Sequence, residues 1–258
     1  MLQFLRRLLR FGLLSFTLLF AITPPARAAE PVDLLLVLAA DVSRSVTGEK
    51  FKLQREGYAA AISDARVLDA ITAGRNHRIA VLFLEWSGNG NQKVVIDWTA
   101  IDGPKAAKAF GDRLLEEPRS FGDRTSISGG IEFAMAQFPR APFSAERQTI
   151  DISGDGTNNA GRIVSAVRDD ALRLGITING LVILSETPLP WNPEHTNPPG
   201  GLAAYYRENV IGGPGSFVLE AKDFNSFGQA IVKKMIAEIA DATTAIERLA
   251  APSPADNR

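Results

Sequence analysis

Asp41, Ser43 and Ser45 occupy alternate positions of the string Asp41-Val42-Ser43-Arg44-Ser45, which directly follows the apolar run Leu34-Leu35-Leu36-Val37-Leu38. One carboxylate and two hydroxyls on one loop are hard oxygen donors, a set suited to a magnesium-like cation rather than to zinc. Taken alone, the string fits a helix N-cap equally well. Two further loops offer donors of the same kind. One reads Gly122-Asp123-Arg124-Thr125-Ser126 and the other Gly154-Asp155-Gly156-Thr157-Asn158-Asn159. Arg44 and Arg124 flank these donors and read either as guides for an acidic partner or as ordinary exposed loop arginines. Asp123, just before a helix, reads as a cap. Asn158 and Asn159 read as supports behind the donors or as the start of the next helix.

Such loops converge only if the elements before them are parallel strands. A short apolar run bounded by polar residues is the mark of a buried parallel strand, here 34–40. A helix follows, with Thr47 or Ser45 as its cap and Phe51, Tyr58, Ile62 and Ala65 on one face. Ile79 to Trp86 and Val94 to Trp98 read as strands joined by the turn Ser87-Gly88-Asn89-Gly90-Asn91, so the second of them runs antiparallel. The G-x-G of that turn lacks the third glycine and the helix of a nucleotide fingerprint.

Pro104 to Leu115 reads as a helix with an early proline. A second helix after Thr125 carries Ile127, Ile131, Ala134, Met135 and Phe138 as a core stripe. Gln148–Ser153 and Ile176–Leu184 are strands around a helix over Ala160–Leu174, which Gly175 terminates. Ser216–Leu219 is a last strand. The closing helix starts near Phe224 and aligns Phe227, Ile231, Met235 and Ile239. This alternation defines an α/β fold: a doubly wound, mostly parallel sheet with one antiparallel edge strand and helices on both faces. Ligands of such sheets bind at the carboxyl ends of the strands, where the three loops lie.

Composition narrows the function. Residues 1–28 combine Arg6, Arg7 and Arg10, an apolar stretch from Phe11 to Ile22 and the small-residue site Ala26-Arg27-Ala28, the pattern of a secretory signal cut after Ala28. The stretch is too short for a membrane span, so no stable span is expected after cleavage. The domain is then placed at 29–247 and a flexible tail at 248–258. Of 28 basic residues four lie in the signal, leaving 24 against 29 acidic residues, a net of −5. That charge argues against a nucleic-acid partner. Cysteine is absent, which excludes disulfides and thiolate chemistry. His77 and His195 read as surface residues. The irregular segment Thr187 to Gly201 holds Trp191, read equally as an interface anchor or as a buried packing residue.

The three loops, in this order on this pattern, resemble the von Willebrand factor A domain. Its metal-ion-dependent adhesion site consists of D-x-S-x-S, a threonine on a second loop and an Asp-Gly on a third. The resemblance runs from about Val32 to Ile239 and assigns Asp41, Ser43 and Ser45 to the first loop, Thr125 to the second and Asp155 to the third. More narrowly, Ser153 to Asn159 and the stretch Tyr205 to Gly215 resemble a bacterial exported family, domain of unknown function 1194. The resemblance implies direct ligation by Ser43, Ser45 and Thr125, with Asp41 and Asp155 acting directly or through waters. It implies Mg²⁺, with Ca²⁺ and Mn²⁺ as alternatives, and a partner protein whose Asp or Glu carboxylate completes the coordination. The expected function is an exported protein-binding module of the bacterial periplasm or exterior. The competing reading is a metal-dependent hydrolase or phosphatase using the cation as a Lewis acid. The chain lacks a G-x-S-x-G elbow, and no histidine lies near Ser43 in sequence to activate it.

Overall fold

The computed structural model of the protein describes residues 29–184, 190 and 192–240. The readings placed on 1–28, on 248–258 and on Trp191 lie outside the described residues. In chain order the elements are β1 (Glu30–Pro31), β2 (Leu35–Asp41), α1 (Gly48–Ile62), α2 (Ala65–Thr72), β3 (Ile79–Trp86), β4 (Gln92–Ile101), α3 (Pro104–Glu116) and α4 (Ile127–Met135). They continue with β5 (Phe143–Ser144), β6 (Gln148–Gly154), α5 (Val164–Arg173), β7 (Thr177–Ile183), α6 (Pro193–Thr196), α7 (Leu202–Asn209), β8 (Val218–Ala221) and α8 (Phe227–Ile239).

Among the described residues, six strands form one sheet in the order β4-β3-β2-β6-β7-β8. Every pairing in it is parallel except β3 with the edge strand β4. Chain order therefore reverses between β2 and β6. Crossovers from these two strands leave on opposite faces and open a crevice between their carboxyl ends. Asp41 closes β2 and Asp155 follows β6 directly, so the topology brings the two carboxylates to that crevice.

The central strands are buried on both faces, as continuous apolar runs require. Leu36, Leu38 and Ala40 pack with Tyr58 of α1, Phe110 of α3 and Phe227 of α8. Leu35, Val37 and Ala39 pack with Ile131 of α4, Val167 of α5 and Tyr206 of α7. Helices thus cover both faces, as the alternation predicts.

Several boundaries differ from the sequence reading, each for a local reason. Thr47 is the cap of α1, which stops at Ile62; Asp64 then caps α2, and Val67 and Ile71 take the buried positions while Ala65 is exposed. The core stripe after Thr125 ends earlier than its periodicity, at Met135, because Pro139 cannot supply an amide and Phe138 falls in a 3₁₀ turn. Strand β4 is longer than Val94–Trp98, and the β3–β4 register shifts between Val81 and Leu84. Helix α5 begins at Val164 rather than Ala160, since Gly161 sits at φ +81°. The last strand lies at Val218–Ala221 rather than Ser216–Leu219, and residues 202–209 form the helix α7. No helix among the described residues is long and apolar enough to cross a membrane.

Candidate functional site

Asp41 is fully buried at the end of β2 and turns the chain into the first loop: its Oδ1 accepts the Ser43 amide at 2.6 Å. Ser43 Oγ lies 3.1 Å from Ser45 Oγ, and Ser45 Oγ donates to Asp155 Oδ1 at 2.6 Å. A continuous polar chain therefore runs from one buried carboxylate to the other through the two serines. The Oδ2 atoms of both aspartates are buried without a hydrogen-bond partner. Asp155 Oδ2 has Lys50 Nζ at 3.5 Å, on a side chain that also donates to Ser45 O. Burial, followed by the charge of Asp155, pushes the Asp41 carboxyl up to about 8.

Gly154, the last residue of β6, makes this closeness possible. A Cβ there would lie 2.7 Å from Tyr206 Oη and 3.2 Å from Asp41 Oδ2. The Tyr206 hydroxyl is itself buried without a partner. The Tyr206 hydroxyl and Asp41 Oδ2 thus both approach Gly154, where β6 ends.

The second loop is tied to both others. Thr125 exchanges two hydrogen bonds with Asn159: its amide donates to Asn159 Oδ1 at 2.9 Å, and its carbonyl accepts the Asn159 amide at 2.9 Å. Asn158 Oδ1 accepts the Ser128 amide at 3.1 Å. Both asparagines therefore brace the second loop and lie ahead of α5, outside it. Ser126, not Asp123, caps α4, by accepting the Gly129 amide; Asp123 Oδ2 instead accepts from Asn91 Nδ2. Arg119 Nη2 donates to Val42 O at 2.6 Å and to Ser43 O at 2.9 Å, and the Arg44 amide donates to Asp123 O. Behind it, buried Arg55 pairs with Glu85, whose other oxygen accepts the Ser120 amide at 2.8 Å.

His195, read from the sequence as a surface residue, is 5% exposed and lies in the site. Its Nε2 is 3.2 Å from Thr125 Oγ1 and its Nδ1 is 3.2 Å from Thr157 Oγ1. Burial lowers its basicity, which favours the neutral ring. The short helix α6 brings it there, docked by the Thr157 amide on His195 O at 2.9 Å. A separation of some 70 positions from Thr125 hid the pairing; Gly156, which clears room for the ring, was the one local hint.

Arg44, Ser45, Arg124, Thr125, Asn159 and His195 line a common cavity of about 100 Å³. Its mouth carries the exposed Arg44 and Arg124. The five residues singled out by motif thus end up at one sheet edge: Asp41, Ser43, Ser45 and Asp155 in one hydrogen-bonded chain, with Thr125 on the cavity that Ser45 also lines. Among the described residues no three His, Cys, Asp or Glu side chains cluster as metal ligands, so any cation here would depend on hydroxyl donors. A larger groove of about 760 Å³ at the opposite end of the strands includes Asp33, whose carboxylate is already taken up by Asn76.

In fold the chain is like a solved von Willebrand factor type A structure from Catenulispora acidiphila, with a TM-score of 0.53 at 13% identity, covering 81% of this chain and 43% of that one. Mussel byssus proximal thread matrix protein 1 superposes with a TM-score of 0.58 at 12% identity, covering 81% of this chain and 48% of its own. A second structure of that protein, with a zinc-occupied MIDAS motif, gives 0.54 at 14% identity, covering 82% and 49%. The pilus adhesin SpaC of Lactobacillus rhamnosus GG gives 0.55 at 12% identity, covering 84% of this chain and 31% of its own. The chain spans about half the length of the mussel protein and less of the adhesin. At these identities the likeness is one of fold. No curated protein matches the chain in sequence. The family model for DUF1194, a protein of unknown function, matches residues 31–243, and the chain belongs to that family.

Proposed function

We propose that this chain is an exported module that binds a partner protein through a divalent cation held by Asp41, Ser43, Ser45, Thr125 and Asp155. The observation that carries the reading is the buried pair Asp41 and Asp155, linked through the Ser43 amide and the Ser43 and Ser45 hydroxyls, with an Oδ2 on each that accepts no hydrogen bond. Buried carboxylates are retained where a positive charge compensates them, and Lys50, about one-third exposed, reaches only one of the two. The donors fit an oxygen-coordinated cation. Mg²⁺ is the first choice, with Ca²⁺ and Mn²⁺ as the other oxygen-preferring candidates. With only two carboxylates the cation would keep net positive charge and attract an Asp or Glu of the partner. Arg44 and Arg124 at the cavity mouth would steer that acid. The zinc-occupied MIDAS motif of the mussel protein, a structure of similar fold, supports the reading that this chain binds a cation.

The reading places residues 1–28 as the export signal, 29–247 as the domain and 248–258 as a tail, and the protein in the periplasm or outside the cell. Among the described residues the Thr125–His195 contact is the feature that favours a hydrolase, because it pairs a hydroxyl with an imidazole. The far ring nitrogen meets the hydroxyl of Thr157 where a nucleophilic triad would place a carboxylate, and binding remains the better account. Calorimetric titration of the purified chain with Mg²⁺ and the other divalent cations tests the reading, together with capture of envelope proteins with and without EDTA. Cation binding and chelator-sensitive capture, both lost in Asp41→Ala, are expected. Capture that survives EDTA would overturn it, and turnover of phosphate esters lost in the same variant would favour the hydrolase.

A further inference from the structure

The hydroxyl of Thr125 shares its surroundings with a nitrogen. His195 Nε2 stands 3.2 Å from Thr125 Oγ1, and both line the cavity of about 100 Å³ that Ser45 also lines. Two donors bound to one cation through bonds of about 2.1 Å stand roughly 3 to 3.5 Å apart, the spacing found here. The ring is held as a ligand would be. Its other nitrogen faces Thr157 Oγ1 at 3.2 Å, an outer contact of the kind that fixes tautomer and orientation in histidines bound to metal. Space for it comes from Gly156, next to Asp155: a Cβ at that position would lie 2.3 Å from His195 Nε2 and 2.4 Å from Cε1. Any side chain at 156 would expel the imidazole. His195 is also 5% exposed, so the surrounding protein, not solvent, sets its position.

We infer that His195 is a ligand of the cation held at this site, through Nε2, and that the site thereby takes Zn²⁺ in preference to Mg²⁺. The inference rests on the reading that the site binds a cation at all, and it revises the preference that the oxygen donors set. Imidazole nitrogen favours zinc and disfavours magnesium, which demands oxygen. A mixed set of hydroxyls, carboxylates and one imidazole therefore changes the ranking of cations while leaving the place of binding the same.

The test measures Zn²⁺ and Mg²⁺ affinity separately, by competition with a metal indicator, for the full exported chain and for His195→Ala and Asp41→Ala. His195→Ala is expected to weaken Zn²⁺ by at least about tenfold, given that losing even an outer partner of a ligand costs 10–100-fold, while Mg²⁺ changes by less than about threefold. An equal loss of both cations would overturn the inference by making His195 a positioning residue for Thr125. An unchanged Zn²⁺ affinity would overturn it as well. If His195→Ala does not fold, ¹⁵N-labelled His77→Gln protein, whose one remaining histidine is His195, gives a second measurement. Zinc is expected to displace the Nε2 resonance directly, and a resonance unmoved at saturating zinc would overturn the assignment. Failure of the parent reading looks different: the unaltered chain and Asp41→Ala would then bind neither cation with any distinction between them.

Discussion

Thr125 shows how a single side chain can be separated from its scaffold in this site. Its amide and carbonyl are both engaged by Asn159, so the backbone does not depend on the side chain for its position. The hydroxyl alone points to the shared cavity, where it meets His195. Thr125→Val keeps the shape and removes the oxygen; Thr125→Ser keeps the oxygen and removes a methyl group. If the hydroxyl binds the cation, calorimetry should show the valine variant at least about tenfold weaker for metal and the serine variant within about threefold of the unaltered chain. Equal behaviour of the two would remove Thr125 from the ligand set. The serine string differs, because Ser45 Oγ also ties Asp155 to Ser43, and its loss would change folding and binding together.

The loops that carry these residues are held by cross-bonds at the ends of elements. Arg119, in the connection between α3 and α4, donates two bonds from one nitrogen to the carbonyls of Val42 and Ser43 while its guanidinium lies 5.8 Å from the Phe51 ring centroid. Hydrogen bonds to a charged group contribute about 1.5–3 kcal/mol each. Arg119→Ala is expected to lower the stability of the metal-free protein by about 2 kcal/mol in urea unfolding, and to weaken cation binding because the first loop loses its anchor. Unfolding midpoints and metal affinities that both stay unchanged would show that the loop is self-supporting through Asp41 Oδ1 and the Ser43 amide.

What the sequence allowed to be read follows the same division. Leu34–Leu38 and Ile79–Trp86 announced buried strands because apolar runs bounded by turns have few other solutions, and with them came the edge that gathers Asp41, Thr125 and Asp155. The bracing was legible only in part. Asn158 and Asn159 read as supports or as a helix start, and the structure gives them the first role. Arg119 acts through a contact between loops, which no periodicity encodes. His195 and Tyr206 arrive from α6 and α7, short segments whose docking depends on the space left by Gly156 and Gly154.

At the scale of the whole domain, two clusters of buried acid at distinct places on the sheet give one pH dependence with separable parts. At the carboxyl edge, burial and Asp155 hold the Asp41 carboxyl up at about 8. On the α8 side, Lys234 Nζ lies 2.9 Å from Asp151 and also bonds Glu238, all three being buried, and burial with the charge of Asp151 pushes Glu238 up to about 7. A carboxyl whose folded pKa exceeds its unfolded value of about 4 gives its full stabilisation below pH 4, and that is lost as pH rises through the folded pKa. The metal-free protein should therefore lose stability between about pH 4 and pH 8. Asp41→Asn should flatten the part extending to about pH 8, and Glu238→Gln the part ending near pH 7. A cation that binds only the ionised Asp41 site reverses the first part alone, stabilising by RT ln(1 + [L]/Kd), about 2.7 kcal/mol at a hundredfold excess over Kd. Thermal unfolding from pH 4 to 8, with and without saturating divalent cation, should show a metal-induced rise in Tm that grows with pH. That rise should persist in Glu238→Gln and vanish in Asp41→Asn. A rise of equal size at pH 4 and pH 8 would mean that the cation does not compete with the Asp41 proton and binds elsewhere.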